Sequence, residues 1–312
     1  MFVKNKYSRI SIAAAFTAAL SMALAMVSCS NGDNSGNAKL PGAAPYRILS
    51  IGASFTSDAM TYLHDMLVKN GVPAKDIDIV NAYVGGQTLK NHALHAEYEL
   101  YTYERRTHGA KGSITSIPNV KLKDIVSSNY WDYISIQQGA DQAGNLAAYA
   151  DEDIEYLLEF AKENCKNPNV KIMFHLTWAY DEGTTQQSVW NSFNGNQMEM
   201  YTAITDAVQA KILPYEEFEI IIPSGTAIQN ARTIFTKVLT GGDGYHLNDF
   251  GKFIAGAMWL RQIYGSDKGF NLDVFNAPYQ ARNNTTISVS DMAIIAKCAE
   301  DAFEHPFEVT DQ

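Results

Sequence analysis

The chain has 312 residues, of which 46% are hydrophobic and 19% are charged, a composition typical of a folded globular protein. Its formal net charge is −10 at pH 7, which disfavours a nucleic-acid partner because phosphate backbones attract basic surfaces. The length is enough for one large α/β domain with a full core.

The N-terminal segment has the pattern of an export signal. Three basic residues among the first nine precede an apolar, Ala-rich run at 10–27, which is short for a bilayer crossing. We predict a signal peptide at 1–28 and, because Gly, Asn and Ser follow, a flexible tether at 29–44. Removal of the signal takes three basic residues and no acidic one, so the net charge becomes about −13.

The cysteines fall into two groups. Ala-Met-Val-Ser-Cys at 25–29 resembles the lipobox of bacterial lipoproteins, in which a signal peptidase cuts before the Cys and its thiol carries diacylglycerol. This resemblance implies a lipid anchor at Cys29 and a place on the bacterial cell envelope, at the periplasmic face or the cell surface. The alternative is an ordinary secretory signal. Cys165 and Cys298 are expected to be buried free thiols, although a disulfide between them stays open in an oxidising compartment.

From Pro45 onward, short β-rich apolar runs alternate with amphipathic stretches. This alternation predicts a three-layer α/β/α sandwich with a mainly parallel five-stranded sheet, as one domain at 45–312. The predicted strands are 46–52, 77–83, 133–137, 170–177 and 219–223. The predicted helices are 57–70, 87–106, 151–164, 196–212, 225–237, 247–264 and 290–303.

Ligand sites in such sheets lie at the carboxyl ends of the strands, where the loops converge. Ser54 stands where the first strand stops and the next helix begins. Its hydroxyl would be exposed there as a nucleophile, and its own N–H near the helix start could stabilise an oxyanion. The alternative is that Ser54, Thr56 or Ser57 only caps the helix.

A second candidate is the glycine-rich segment 241–248, which precedes an apolar helix. Asp243 and His246 are three residues apart in it, so the carboxylate can reach the imidazole and fix its tautomer. His92 and His95 would share one helix face, but no third ligand is evident, so we predict no metal site. Dinucleotide and P-loop motifs are absent from the sequence, and no cofactor is predicted.

With these residues the chain resembles the SGNH/GDSL hydrolases, in a branch described only as a domain of unknown function. Ile-Gly-Ala-Ser-Phe is similar to the family's first block, with Ala53 where the family has Asp. Asp-Gly-Tyr-His-Leu-Asn is similar to its last block, Asp-x-x-His-Leu. The resemblance covers about 46–264 and implies a flavodoxin-like sandwich with a catalytic triad of Ser54, Asp243 and His246.

Two middle blocks imply an oxyanion hole. Tyr-Val-Gly-Gly-Gln-Thr-Leu resembles the block whose glycine donates its N–H, and Gly86 aligns with that glycine. Where most of the family has Gly-x-Asn-Asp, this chain has Gln-Gln-Gly-Ala-Asp. Gln138 resembles the donor of a Gln-Gly variant in carbohydrate acetylesterase branches, which implies a hole made by Ser54, Gly86 and Gln138. Asp141 aligns with the missing Asn, but its carboxylate would repel an oxyanion.

Aromatic residues surround the long loop after the fourth predicted strand. Trp178 and Tyr180, with Trp190 and Phe193 nearby, are candidates for a wall against a sugar ring or an acyl chain. Core packing is the alternative explanation for some of them.

These observations favour an exported serine esterase that is bound to the membrane through Cys29. Its substrate would be a small-molecule or glycan ester, with carbohydrate O-acetyl groups preferred. A rival hypothesis is a glycan-binding lipoprotein that keeps the fold without turnover, suggested by Ala53 and the missing Asn. A third is a structural surface protein without an open pocket at Ser54. The oligomeric state is not predicted.

Overall fold

A seven-stranded sheet organises the protein. The computed structural model describes residues 46–265, 272 and 275–310, so the predicted signal peptide, the tether and Cys29 lie outside the described residues. The strands are β1 Tyr46–Gly52, β2 Ile77–Tyr83, β3 Tyr103–His108, β4 Ile114–Val120, β5 Tyr133–Ile136, β6 Lys171–His175 and β7 Phe218–Ile222. Their order in the sheet is β4-β3-β2-β1-β5-β6-β7.

Five of these strands are parallel. β1 lies between β2 and β5, and β6 and β7 continue the sheet in the same direction. They coincide with the five predicted strands to within three residues at each end, and the prediction of a mainly parallel sheet is confirmed. The central β1 is a continuous apolar run in which Ile48, Leu49 and Ile51 are fully buried, as expected for a strand covered on both faces.

Helices flank the sheet. The α-helices are α1 Ser54–Met60, α2 Leu63–Lys69, α3 Leu89–Glu97, α4 Leu122–Val126, α5 Asp151–Asn164, α6 Gln187–Ser192, α7 Gln197–Lys211, α8 Ser224–Ile234, α9 Asp249–Leu260 and α10 Val289–Glu304. Eight of them form two groups: α1, α2, α8, α9 and α10 contact one another in one, and α3, α4 and α5 do so in the other. Two short strands, β8 Tyr279–Gln280 and β9 Thr286–Ile287, pair antiparallel. The predicted three-layer sandwich is confirmed.

The edge of the sheet beyond β2 corrects the sequence analysis. The helix predicted at 87–106 ends at Glu97, and the chain then forms β3 and β4, which pair antiparallel with β2 and with each other. Glu99 has a left-handed backbone, φ 48°, which stops helical propagation. β3 is rich in charged residues and β4 is largely exposed, so the hairpin lacks the apolar alternation by which strands are recognised.

Two cysteines lie within the described part of the chain, and both are free thiols. Cys298 is buried, and burial raises the pKa of its thiol to about 12. Cys165 is half-buried rather than buried, because it ends α5. Within the described ranges, no helix combines the length and apolar character needed to cross a membrane.

A bidentate ion pair fixes the start of β1 to the segment before β5. Arg47 donates from Nη2 to Asp132 Oδ1 at 2.8 Å and from Nε to Asp132 Oδ2 at 2.9 Å. The backbone N–H of Arg47 donates to the same Oδ2 at 3.0 Å. Both side chains are about three-quarters buried, so water competes only partly for these hydrogen bonds.

We expect Asp132→Ala to lower the free energy of unfolding by about 2 kcal/mol, because it removes three hydrogen bonds to one largely buried carboxylate. Urea denaturation followed by circular dichroism measures the loss. The matched control is Glu217→Ala, which breaks the exposed Lys162 pair and should change stability by less than ~0.5 kcal/mol. Equal effects of the two variants would contradict this assignment.

Candidate active site

Ser54 is the first residue of α1, directly beyond the carboxyl end of β1. The residue at the N-cap position is Ala53, which has an extended backbone, and no side chain caps the helix. The helix can start this close to the strand because residue 52 is Gly, since a Cβ there would lie 2.4 Å from Thr56 Oγ1. Ser54 is half-exposed between buried neighbours. Its hydroxyl does not cap the helix and can contact a molecule in solvent.

Asp243 and His246 form a hydrogen-bonded pair in the loop before α9. Asp243 Oδ2 lies 2.7 Å from His246 Nδ1, and Asp243 Oδ1 accepts the N–H groups of Tyr245 and His246 at 3.1 Å. Burial by itself raises the pKa of Asp243, but these three donors outweigh it and hold the pKa below its usual value. The carboxylate thus engages Nδ1 and leaves Nε2 for a reacting group.

Ser54 and His246 line the same solvent-open hollow, which has a volume of about 370 Å³. Gly86, Asp141 and Tyr180 are also part of its wall. Further lining residues are Phe55, Tyr83, Gly85, Ala140, Gln186 and Tyr245. Within the described part of the chain, no hydrogen bond joins Ser54 to the His246 ring. Such bonds are often long in free enzymes and tighten when a substrate binds.

The carboxylate of Asp58 connects the helix of Ser54 to the loop of His246. It lies one helical turn after Ser54 and accepts the N–H of Leu247 at 2.9 Å, while Lys252 Nζ lies 3.3 Å from it. Burial raises the pKa of Asp58 against the opposing charges of Lys252 and His246. The sequence analysis missed this residue, because Asp58 stands among the polar residues Thr56 and Ser57 of α1 and only its burial in the fold distinguishes it.

The loop after β6 supports the Asp243 loop through backbone contacts. The N–H of Asp181 donates to Gly244 O and the N–H of Thr185 donates to Asp243 O, both at 2.8 Å. Gly244 has a left-handed backbone, φ 74°, and a Cβ there would lie 2.6 Å from Thr184 Cα. The two loops therefore pack backbone against backbone at this point.

A buried ion pair anchors that supporting loop. Asp181 accepts from Arg232 Nη2 at 2.6 Å, from Gln197 Nε2 at 2.8 Å and from Thr240 Oγ1 at 2.5 Å. Burial lowers the pKa of Arg232, although the Asp181 charge opposes this. These residues come from four separate segments, so no local sequence pattern could have identified them.

Gln138 does not take the position predicted for it. Its Oε1 accepts the N–H groups of Leu89 and Gly139, and its Nε2 donates to Ala148 O at 2.8 Å. The side chain is 1% exposed and is not part of the wall of the Ser54 hollow. The amide binds the start of α3 to the loop after β5, and the assignment of Gln138 as an oxyanion donor is therefore not supported by its position.

The two aromatic candidates for substrate contact differ in position. Trp178 is fully buried, donates from Nε1 to Tyr245 O at 2.8 Å and stacks on Phe55 at 4.2 Å between ring centroids. It supports the floor of the site and does not line the hollow. Tyr180 does line it. Burial, followed by the charge of Asp141, raises the pKa of its phenol.

Gly86 lies in a turn at the rim of the hollow and has a left-handed backbone, φ 64°, which favours glycine.

The two histidines considered as metal ligands contact other side chains. His95 Nδ1 lies 2.9 Å from Gln87 Nε2. His92 Nδ1 lies 2.9 Å from Tyr103 Oη in the core. Both histidines thus have structural contacts, and the residues that the structure describes contain no group of three His, Cys, Asp or Glu side chains arranged to hold a metal.

Comparison with known proteins identifies the family. The sequence profile of a family described as a domain of unknown function, DUF4886, matches residues 47–302. The chain belongs to this family. The crystal structure of a DUF4886 family protein from Bacteroides uniformis is 30% identical, with a TM-score of 0.73, and the match covers 86% of this chain and 98% of that chain. The predicted branch of unknown function is thereby confirmed.

Two further solved structures are similar at lower levels. A proposed SGNH hydrolase from Slackia heliotrinireducens is 15% identical, with a TM-score of 0.44 and coverage of 70% of this chain and 99% of that chain. A variant of an acetyl xylan esterase from Geobacillus stearothermophilus is 16% identical, with a TM-score of 0.45 and coverage of 73% and 97%. Neither similarity assigns an activity to this chain. No curated protein matches it.

We expect Gly244→Ala to lower the free energy of unfolding by about 2 kcal/mol or more, because it adds a Cβ against the Thr184 backbone at a left-handed position. Gly242→Ala is the control, since nothing lies within 4 Å of a Cβ at that position. The control should unfold within ~0.5 kcal/mol of wild type in urea. If both variants behave alike, the backbone packing at Gly244 does not support the Asp243 loop.

Proposed function

We propose that this protein is a serine esterase with a triad of Ser54, His246 and Asp243, and that it hydrolyses O-acetyl groups of carbohydrates. The observation that carries the proposal is one open hollow lined by both Ser54 and His246, with His246 Nδ1 held 2.7 Å from Asp243. A serine, a histidine and a carboxylate in this relation form the apparatus of nucleophilic acyl transfer.

In the proposed reaction, Ser54 Oγ attacks the ester carbonyl carbon while its proton passes to His246 Nε2. The tetrahedral intermediate expels the alcohol oxygen, which takes that proton from His246, and an acyl group remains on Ser54. Water then attacks the acyl group as His246 removes its proton. Collapse returns the proton to Ser54 Oγ and releases the acid. Asp243 stabilises the imidazolium that forms in each half of the cycle.

The oxyanion is assigned to backbone donors. The N–H groups of Ser54 and Gly86 are the candidates, since both residues line the hollow. The Gln138 amide is left out because its hydrogen bonds to Leu89, Gly139 and Ala148 engage it elsewhere.

The carbohydrate part of the proposal rests on the lining of the hollow. Tyr83 and Tyr245 are half-buried members of the lining that also contains Ser54, and their rings carry hydroxyl groups, whereas Tyr180 is only 2% exposed and contributes little surface. Such side chains offer a sugar both an apolar face and hydrogen-bond partners. Tyr83 is further held by Arg106, whose guanidinium stacks 3.2 Å from the centre of its ring.

A non-catalytic glycan-binding protein is the second candidate. Ala53 stands where the SGNH pattern has Asp, and the Asp141 carboxylate lies in the wall of the hollow, where it would repel an oxyanion. In either case we propose export and lipid attachment at Cys29.

We expect Ser54→Ala and His246→Ala each to lower kcat for 4-nitrophenyl acetate by at least ~1,000-fold, because each removes a member of the triad. Asp243→Asn should also lower kcat, since an amide cannot stabilise the imidazolium as a carboxylate does. The control is His305→Ala, an exposed histidine at the end of α10 that should keep full activity.

Labelling with a fluorophosphonate separates the two candidates. An esterase should lose label in Ser54→Ala and keep it in His305→Ala. Full activity in Ser54→Ala or His246→Ala would eliminate the triad. A wild-type protein that neither turns over esters nor accepts the label, yet binds sugars, would establish the binding function instead.

A further inference from the structure

A second hollow adjoins the one that contains Ser54. Its volume is about 420 Å³, within the ~300–1,000 Å³ usual for small-molecule sites. The loop at 141–145 forms one wall, and α6 with Phe193 forms the other. Asp141 lines both hollows, so a molecule that occupies the two would pass this carboxylate.

The walls of the second hollow carry many short polar groups. Asn145, Ser188 and Ser192 line it together with Gln142. Amide and hydroxyl groups both donate and accept hydrogen bonds, which matches the hydroxyl groups of a sugar. Among the residues that the structure describes, this lining includes no lysine, arginine or histidine that could pair with an anionic group.

One aromatic ring completes the lining. Phe193 packs closely on Gly144, where a Cβ would lie only 2.7 Å from Phe193 Cζ. Because residue 144 is glycine, the ring can lie against the loop backbone and form part of the wall. The apolar face of a sugar can stack on this fixed ring. The hydroxyl groups of the sugar can then form hydrogen bonds with the neighbouring hydroxyl and amide groups.

The Asp141 side chain is exposed and can accept further hydrogen bonds. Its Oδ2 accepts one long hydrogen bond from Gln142 Nε2, at 3.4 Å. A carboxylate offers about four lone-pair sites, enough for two neighbouring hydroxyl groups. Hydrogen bonds to an ionised acceptor are about twice as strong as neutral ones, so this residue can dominate recognition.

We propose that the second hollow binds the alcohol part of the substrate, a neutral sugar, and that Asp141 selects it by accepting hydrogen bonds from two of its hydroxyl groups. The proposal rests on the esterase function proposed above and adds the class of alcohol that the site accepts. It also accounts for a carboxylate in the wall of the hollow that Ser54 lines. The same charge repels sugars that carry a carboxylate or phosphate, so the subsite discriminates against acidic substrates.

Asp141→Asn tests the proposal because it keeps the shape of the side chain and removes its charge. Three esters are compared: 4-nitrophenyl acetate, the acetylated methyl glucoside and the acetylated methyl glucuronide. We expect kcat/KM for the glucoside ester to fall about 10- to 100-fold, as for the loss of hydrogen bonds to a charged group. The value for 4-nitrophenyl acetate, which carries no sugar, should not fall, because the variant removes a charge that would repel the oxyanion, and the preference for glucoside over glucuronide should shrink.

Two controls accompany this variant. Glu217→Gln changes an exposed carboxylate that is paired with Lys162 and should leave all three values unchanged. Phe193→Ala removes the ring and should lower kcat/KM only for the two sugar esters. If Asp141→Asn changes kcat/KM equally for all three esters, or changes it for none of them, the proposal is wrong.

A binding measurement separates this proposal from the esterase function. In the Ser54→Ala background, calorimetric titration with the acetylated methyl glucoside should show binding that Asp141→Asn weakens at least about 10-fold. If the wild type hydrolyses no ester, the esterase proposal fails, and the titration alone decides the subsite. Unchanged binding in the Asp141→Asn double variant would eliminate the subsite even if the protein is an active esterase.

Discussion

The buried carboxylate of Asp58 is the contact on which the geometry of the site depends. It belongs to α1, which begins with Ser54, and it accepts the N–H of Leu247, the residue after His246. Two segments that lie 189 residues apart in the sequence are thus joined by a hydrogen bond to an ionisable group. Burial of that group is unfavourable by itself, and Lys252 at 3.3 Å offsets part of the cost. A buried carboxylate at this place fixes the position of the His246 loop relative to α1 and adds little to the stability of the fold.

The remaining support of the site is aromatic and backbone packing. Phe55 follows Ser54 and stacks on Trp178, whose indole N–H holds the carbonyl of Tyr245. Behind this layer, Asp181 and Arg232 fix the loop on which Gly244 packs. The imidazole of His246 therefore packs on one side against these aromatic rings, and its side chain is 34% exposed to solvent. Rigid support of this kind is what keeps a reactive group within a few tenths of an ångström of its working position.

The departure from the SGNH pattern at Asp141 bears on the proposed reaction. Where the pattern has an Asn that donates to an oxyanion, this chain has Asp141, which can only accept when ionised. In the proposed esterase, stabilisation of the oxyanion would therefore fall to backbone N–H groups, and the carboxylate would contact the alcohol part of the substrate. Gln138, which the pattern marks as a donor, serves the fold by joining α3 to the loop after β5.

The sequence by itself determined the parallel strands, the position of Ser54 at the end of β1 and the pairing of Asp243 with His246. Each depends on local chemistry: apolar runs of strand length, a strand-to-helix turn, and a carboxylate that reaches a ring three residues away. Tertiary structure alone decided the role of Asp58, the burial of Trp178 and the orientation of Gln138. Those outcomes depend on which distant donors, acceptors and rings meet in the packed interior, and the partner of Asp58 lies 189 residues away. No local pattern encodes a contact of that range, because packing of the whole sheet and its helices must first bring the two segments together.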